Sequence, residues 1–198
     1  MSRRRLLTVL GAVAVIAIVA IGLAQSGGST KAPQPDTFDL AAAQQKLAGA
    51  PAPLARLHGQ ANRLIPTDRA KFADVISGLK GHPIVVNKWA SWCAPCRGEF
   101  PVLQSASVAY GKRVAFVGLD SKDNDSDAGT FLRHFPVPYP SYVDRNARVA
   151  QDLEIGQFYP TTMFYDARGK MQYIHQGPYT SHAAFAADID RYALGRPQ

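Results

Sequence analysis

Trp92-Cys93-Ala94-Pro95-Cys96 holds both cysteines of this 198-residue chain, and it stands where the apolar run Ile84-Val85-Val86 gives way to a helical pattern. Two thiols separated by two residues at a helix start can close a disulfide within one turn, and the positive end of the helix dipole favours the thiolate of the first. The segment therefore reads as a dithiol redox site, with Cys93 the nucleophile and Cys96 the resolving thiol. A structural zinc site would need a second ligand pair downstream. The histidines, His58, His82, His134, His175 and His182, stand singly and read as surface or internally satisfied residues, so no metal is expected. A purely structural disulfide would close so short a loop that it stabilises little by the entropic argument.

Working outward, the chain alternates helical and strand patterns. Asp68 is placed to cap a helix carrying Phe72, Val75, Ile76 and Leu79 on one face, closed by Gly81. Ile84 to Ala90 reads as a buried strand, and Cys96 to Tyr110 as a helix interrupted by Pro101, whose missing N–H kinks it. Val114 to Leu119 is a second apolar strand suited to a sheet covered on both faces. A helix opened by Ser126 or Asp127 runs to Pro136. Ser141 to Val143 is a short strand and Asn146 to Leu153 a helix. Thr161 to Tyr165 and Lys170 to His175 read as a hairpin about Asp166-Ala167-Arg168-Gly169, and the last helix is capped by Ser181, with Phe185, Ile189 and Tyr192 turned inward. This order predicts an α/β three-layer sandwich with a mixed sheet and helices on both faces.

The N-terminus predicts where the chemistry happens. Arg3, Arg4 and Arg5 precede an uncharged, mostly apolar stretch from Leu6 to Ala24, close to the roughly 20 residues a membrane-spanning helix needs. Residues 1–24 read as a signal-anchor with the N-terminus cytoplasmic and the rest exported. A cleaved signal peptide, with Gly22-Leu23-Ala24 near the cleavage site, is the competing reading and would give a secreted form. The arginine cluster also loosely matches a twin-arginine export signal. Residues 25–53 read as a linker with a short helix from Asp39 to Leu47 and a rigid break at Ala50-Pro51-Ala52-Pro53; residues 54–198 form the compact domain.

Net charge is +7, and subtracting the three leading arginines leaves +4 for the rest. The remaining basic residues are scattered rather than banked with aromatics, which argues against nucleic-acid binding.

Three segments carry a resemblance. Trp89-Ala90-Ser91-Trp92-Cys93-Ala94-Pro95-Cys96-Arg97 resembles the active-site segment of the thioredoxin superfamily, Pro101 falls where those proteins kink the active-site helix, and Tyr159-Pro160-Thr161-Thr162 resembles their cis-proline loop. Cys96-Arg97-Gly98-Glu99-Phe100-Pro101, with Asn87 in the preceding strand, is similar to the membrane-anchored, extracytoplasmic TlpA/ResA-like thiol-disulfide oxidoreductases. The resemblance covers roughly residues 82–194. Two features depart from it: Leu54 to Gly81 reads as helix in place of the usual hairpin, and Lys88 stands where an apolar residue is usual, its ammonium expected to snorkel toward the sheet edge.

The resemblance implies a thioredoxin-like domain that reduces client protein disulfides outside the cytoplasm, often those of apocytochrome c, and is itself re-reduced by a membrane electron-donor thiol protein. The redox group is the Cys93–Cys96 disulfide, and no cofactor is expected. Glu99 is a candidate proton carrier for the dithiol, set against an ordinary first-turn glutamate. Trp92, Tyr159 and Pro160 are candidate substrate-facing residues. Ala94 and Pro95 offer the thiolate no charge and one N–H fewer, which favours a reductant. Two alternatives remain open: a disulfide-forming oxidase, separated by reduction potential, and an anchored Cu(I)-binding protein using the two thiolates, with Met163 and Met171 past the proline loop.

Overall fold

The computed structural model describes residues 38–196, so the anchor expected over residues 1–24 and the first part of the linker, residues 25–37, lie outside the described residues. Among the described residues no helix is long and apolar enough to cross a membrane.

A mixed sheet of order β1-β4-β3-β2-β5-β6 organises the domain, with β1 Leu64–Pro66, β2 Ile84–Trp89, β3 Ala115–Ser121, β4 Ser141–Asp144, β5 Thr161–Tyr165 and β6 Met171–Gln176. The first four strands in that order run parallel, β5 pairs antiparallel to β2, and β6 pairs antiparallel to β5 at the edge. Every residue of β2 and β3 is buried, as expected for central strands covered on both faces.

Because side chains alternate across a strand, β2 feeds two cores. Val85 and Trp89 pack under helices α4 Ala94–Tyr110, α5 Asp125–His134 and α7 His182–Asp188, which continues as a π turn over Ile189–Ala193. Ile84 and Val86 pack under α2 Ala52–His58, α3 Arg69–Gly78 and α6 Arg148–Asp152. Helix α1 Leu40–Leu47, capped by Asp39, buries Ala43 and Leu47. The three-layer α/β sandwich read from the pattern is therefore the observed architecture.

Several local readings differ. The 54–81 stretch is not continuous helix, because Leu64–Pro66 breaks out to pair with Ser141–Val143 at the sheet edge. Ala50-Pro51-Ala52-Pro53 does not merely break the chain: a proline in a first turn loses no helical hydrogen bond, and α2 begins there. Helix α5 is capped two residues earlier than expected, by Asn124, whose side chain accepts from the Asp127 N–H. His58 is half-buried rather than satisfied, and its Nδ1 has no hydrogen-bond partner among the described residues.

One packing detail reaches the site. Gly118 lies between Asn87 and Ser141 in the sheet register. The Trp89 indole N–H crosses β3 to donate to the Ser141 hydroxyl at 3.1 Å. A Cβ at position 118 would stand 2.2 Å from that same hydroxyl oxygen.

Candidate active site

The C-terminal ends of β2 and β3 and the start of α4 converge on the two cysteines, the place where an open α/β sheet leaves its crevice. Cys93 is the N-cap of α4, and Cys93 and Cys96 are joined by a disulfide. The Cys93 sulfur accepts the Cys96 N–H at 3.1 Å. Pro95 sits between them in the first helical turn, so the N–H that would be the sulfur's second donor is missing. Cys93 keeps 3% of its surface exposed and Cys96 none. Ala94 and Pro95 are exposed above them.

Beneath the pair lies an aromatic cluster. Trp89 stacks on Phe131 at 4.8 Å between ring centroids and meets Phe100 edge-on at 5.4 Å, and Phe100 meets Phe131 edge-on at 4.7 Å. These rings seat the first turns of α4 on the sheet.

Glu99 lies one helical turn beyond Cys96 and is fully buried. Its Oε1 accepts from the Asn87 side-chain amide at 2.5 Å and its Oε2 from the Tyr179 N–H at 2.8 Å. The same Asn87 amide donates to the Thr162 hydroxyl at 3.1 Å. This network joins α4, β2, the segment after β6, and the strand that follows Pro160. Burial outweighs both hydrogen bonds and pushes the Glu99 carboxyl up to about 7. The Asn87 amide thus serves two side chains rather than backbone, and its own carbonyl oxygen has no partner among the described residues.

The Tyr159–Pro160 bond is cis. The Tyr159 ring leans on Trp92 at 4.9 Å, and its hydroxyl donates to the Ser121 carbonyl at 3.1 Å. Trp92 is 58% exposed and Phe158 62%, leaving an apolar rim near a nearly buried dithiol. Met163 is buried in the opposite core and Met171 lies on β6.

The loop after β3 also reaches the site, which the sequence reading missed. The Asp123 carboxylate accepts from the Ser91 N–H at 2.5 Å and the Ser91 hydroxyl at 2.8 Å, and the Trp92 indole N–H donates to the Lys122 carbonyl at 2.8 Å. Just before them, Asp120 is fully buried in register with Trp89, and neither carboxylate oxygen has a hydrogen-bond partner among the described residues. Burial, reinforced by the like charge of Asp123 and Asp125, pushes Asp120 up to about 8. Lys88 does not snorkel to the sheet edge. It is fully buried and donates to the Gly156 carbonyl at 2.8 Å. The only signal for these residues was the run of charges, Asp120, Lys122 and Asp123, straight after an apolar strand.

A family model described as Redoxin matches residues 48–189. The chain belongs to the Redoxin family. Among this Redoxin's relatives, the thiol:disulfide interchange protein DsbE of Xylella fastidiosa is 34% identical over 145 residues, covering 71% of this chain and 67% of the relative. The thiol-disulfide oxidoreductase ResA of Oceanobacillus iheyensis is 32% identical over 108 residues, or 53% of this chain and 55% of the relative. The crystal structure of a putative DsbE from Chlorobium tepidum superposes with a TM-score of 0.51 at 28% identity, over 58% of this chain and 82% of that one. This Redoxin is thus a thiol-disulfide oxidoreductase of the DsbE/ResA type with a Cys93–Cys96 pair.

Proposed function

We propose that this protein reduces disulfides in client proteins on the extracytoplasmic side of a membrane. The observation that carries this reading is the asymmetry of the pair: Cys93 stands at the helix N-cap next to exposed Trp92 with its surface just open, and Cys96 is closed off behind it. In the reduced enzyme the Cys93 thiolate attacks one sulfur of the client disulfide. A Cys93–client bond forms, the client S–S bond breaks, and the second client sulfur leaves as a thiolate. Cys96 loses its proton and attacks Cys93, closing the internal disulfide and expelling the first client sulfur. Two electrons pass to the client. Glu99, ionising near neutral pH one turn beyond Cys96, is the group to accept the Cys96 proton.

Direction follows from how well the Cys93 thiolate is held. With Pro95 in the first turn, one backbone N–H reaches the sulfur, and Ala94 adds no charge. A weakly stabilised thiolate favours the disulfide form, which makes the dithiol a reductant. The basic, apolar N-terminus, Arg3 to Ala24, supports an anchor with the domain exported. The resemblance of Cys96-Arg97-Gly98-Glu99-Phe100-Pro101 to ResA-like proteins supports apocytochrome c thiol sites as clients and a membrane thiol protein as electron donor.

The test is Cys96→Ala expressed in the native host. A mixed disulfide should accumulate at Cys93, and identifying its partner names the client. A reduction potential near about −270 mV is expected; a value near about −120 mV would instead make the protein an oxidase.

A further inference from the structure

Lys88 occupies the middle of the sheet, where an apolar side chain would fill the space at no desolvation cost, and yet its ammonium is fully buried. The amine donates to the Gly156 carbonyl at 2.8 Å and lies 4.2 Å from the centre of the Tyr159 ring. Those two contacts bracket the loop that leads into Pro160. From the outside, Lys122 grips the same loop by donating to the Gln157 side chain at 2.8 Å, and the Lys122 carbonyl accepts from Trp92, whose ring leans on Tyr159. The contacts therefore form a closed circuit, Lys88 to Gly156, Gln157, Lys122, Trp92, Tyr159 and back. Lys88 is its one fully buried member; Trp92 is its most exposed aromatic, next to Cys93.

We propose that Lys88 is a positioning residue for protein clients: its ammonium, clamped on the Gly156 carbonyl and the Tyr159 ring, holds the Trp92–Tyr159 wall in the arrangement that receives polypeptide flanking the target disulfide. This rests on the reading of Cys93 and Cys96 as a protein-disulfide exchange site. A small disulfide has no flanking polypeptide and needs no wall, so the effect appears as discrimination between substrates. The charged groups that act on Lys88 are Lys122, from the loop after β3, and Asp144, from β4; burial and Lys122 lower the amine to about 8, and Asp144 opposes them. The clamp is therefore mostly charged at pH 7 and released toward pH 9.5.

The test compares kcat/KM for insulin reduction with that for oxidised glutathione, so that titration of the Cys93 thiol cancels in the ratio. Lys88→Met, which keeps the stem and removes the charge, should lower the insulin-to-glutathione ratio about tenfold at pH 7, the size of one charge-assisted contact, through KM for insulin rather than kcat. The wild-type ratio should fall by a similar factor between pH 7 and 9.5, and the variant's should stay flat. A folded Lys88→Met protein with the wild-type ratio and pH profile overturns the proposal. Should Lys88→Met not fold, Tyr159→Leu, which removes the ring under the ammonium, must lower the same ratio, and a ratio unchanged there overturns the proposal equally. A wild-type protein that exchanges with glutathione but not with insulin refutes the protein-disulfide reading itself, and the Lys88 assignment falls with it.

Discussion

The carboxylate of Asp123 holds Ser91 by two hydrogen bonds, from its backbone N–H at 2.5 Å and its hydroxyl at 2.8 Å, two residues ahead of Cys93. Cys93, the proposed nucleophile, is thus positioned from the loop after the neighbouring strand as well as by its own helix. Asp123→Ala should slow disulfide exchange by about tenfold and lower stability by about 1–3 kcal/mol, since a partly buried N–H loses a charged acceptor. Stopped-flow kinetics and thermal unfolding check the two effects.

If Glu99 accepts the Cys96 proton as proposed, it should set the pH response of the resolving step. With its carboxyl near 7, it is protonated below that pH and able to accept the Cys96 proton above it. The rate of release of a Cys93 mixed disulfide should rise through about pH 7 in the wild type and lose that inflection in Glu99→Gln. An inflection that persists in the variant would reduce Glu99 to a structural role.

Asp120 gives stability a pH dependence of definite sign. Its folded value, about 8, lies above the ordinary aspartate value of the unfolded chain, so the folded state holds the extra proton between those limits. Stability contributed by this group is complete below about pH 4 and is lost as pH rises toward 8. Asp120→Asn should therefore stabilise the domain at pH 8, by on the order of 2 kcal/mol, and much less at pH 4. Urea unfolding at the two pH values is the measurement.

Phe100, fully enclosed between Trp89 and Phe131, anchors α4 to the sheet. Phe100→Ala should cost about 3–5 kcal/mol, read as a lower urea midpoint with the slope unchanged.

The legible parts of this protein were the local ones. The Trp-Cys-x-x-Cys segment, Pro101, the buried strand from Ile84 and the Asp68 and Ser181 caps each declare themselves within a few residues, and each lies where it was expected. Pro160 and Asn87 were found by resemblance. The rest of the site depends on contacts that sequence spacing hides. Asp123 meets Ser91 across 32 residues, Tyr179 meets Glu99 across 80, and Lys88 meets Gly156 across 68. Such pairs exist only once the strand order is fixed. Leu64–Pro66 escaped notice for the same reason: three residues carry no usable periodicity, and their strand character comes from Ser141–Val143.

The bare backbone at Gly118 makes a tether possible from the second strand, over the third, to the fourth. An alanine there would need to displace the Ser141 oxygen that receives the Trp89 indole, so a single added methyl would disturb the residue four places before the nucleophile without touching either sulfur. Damage to catalysis can thus originate on a strand that contributes no thiol, at a position whose whole contribution is the room it leaves.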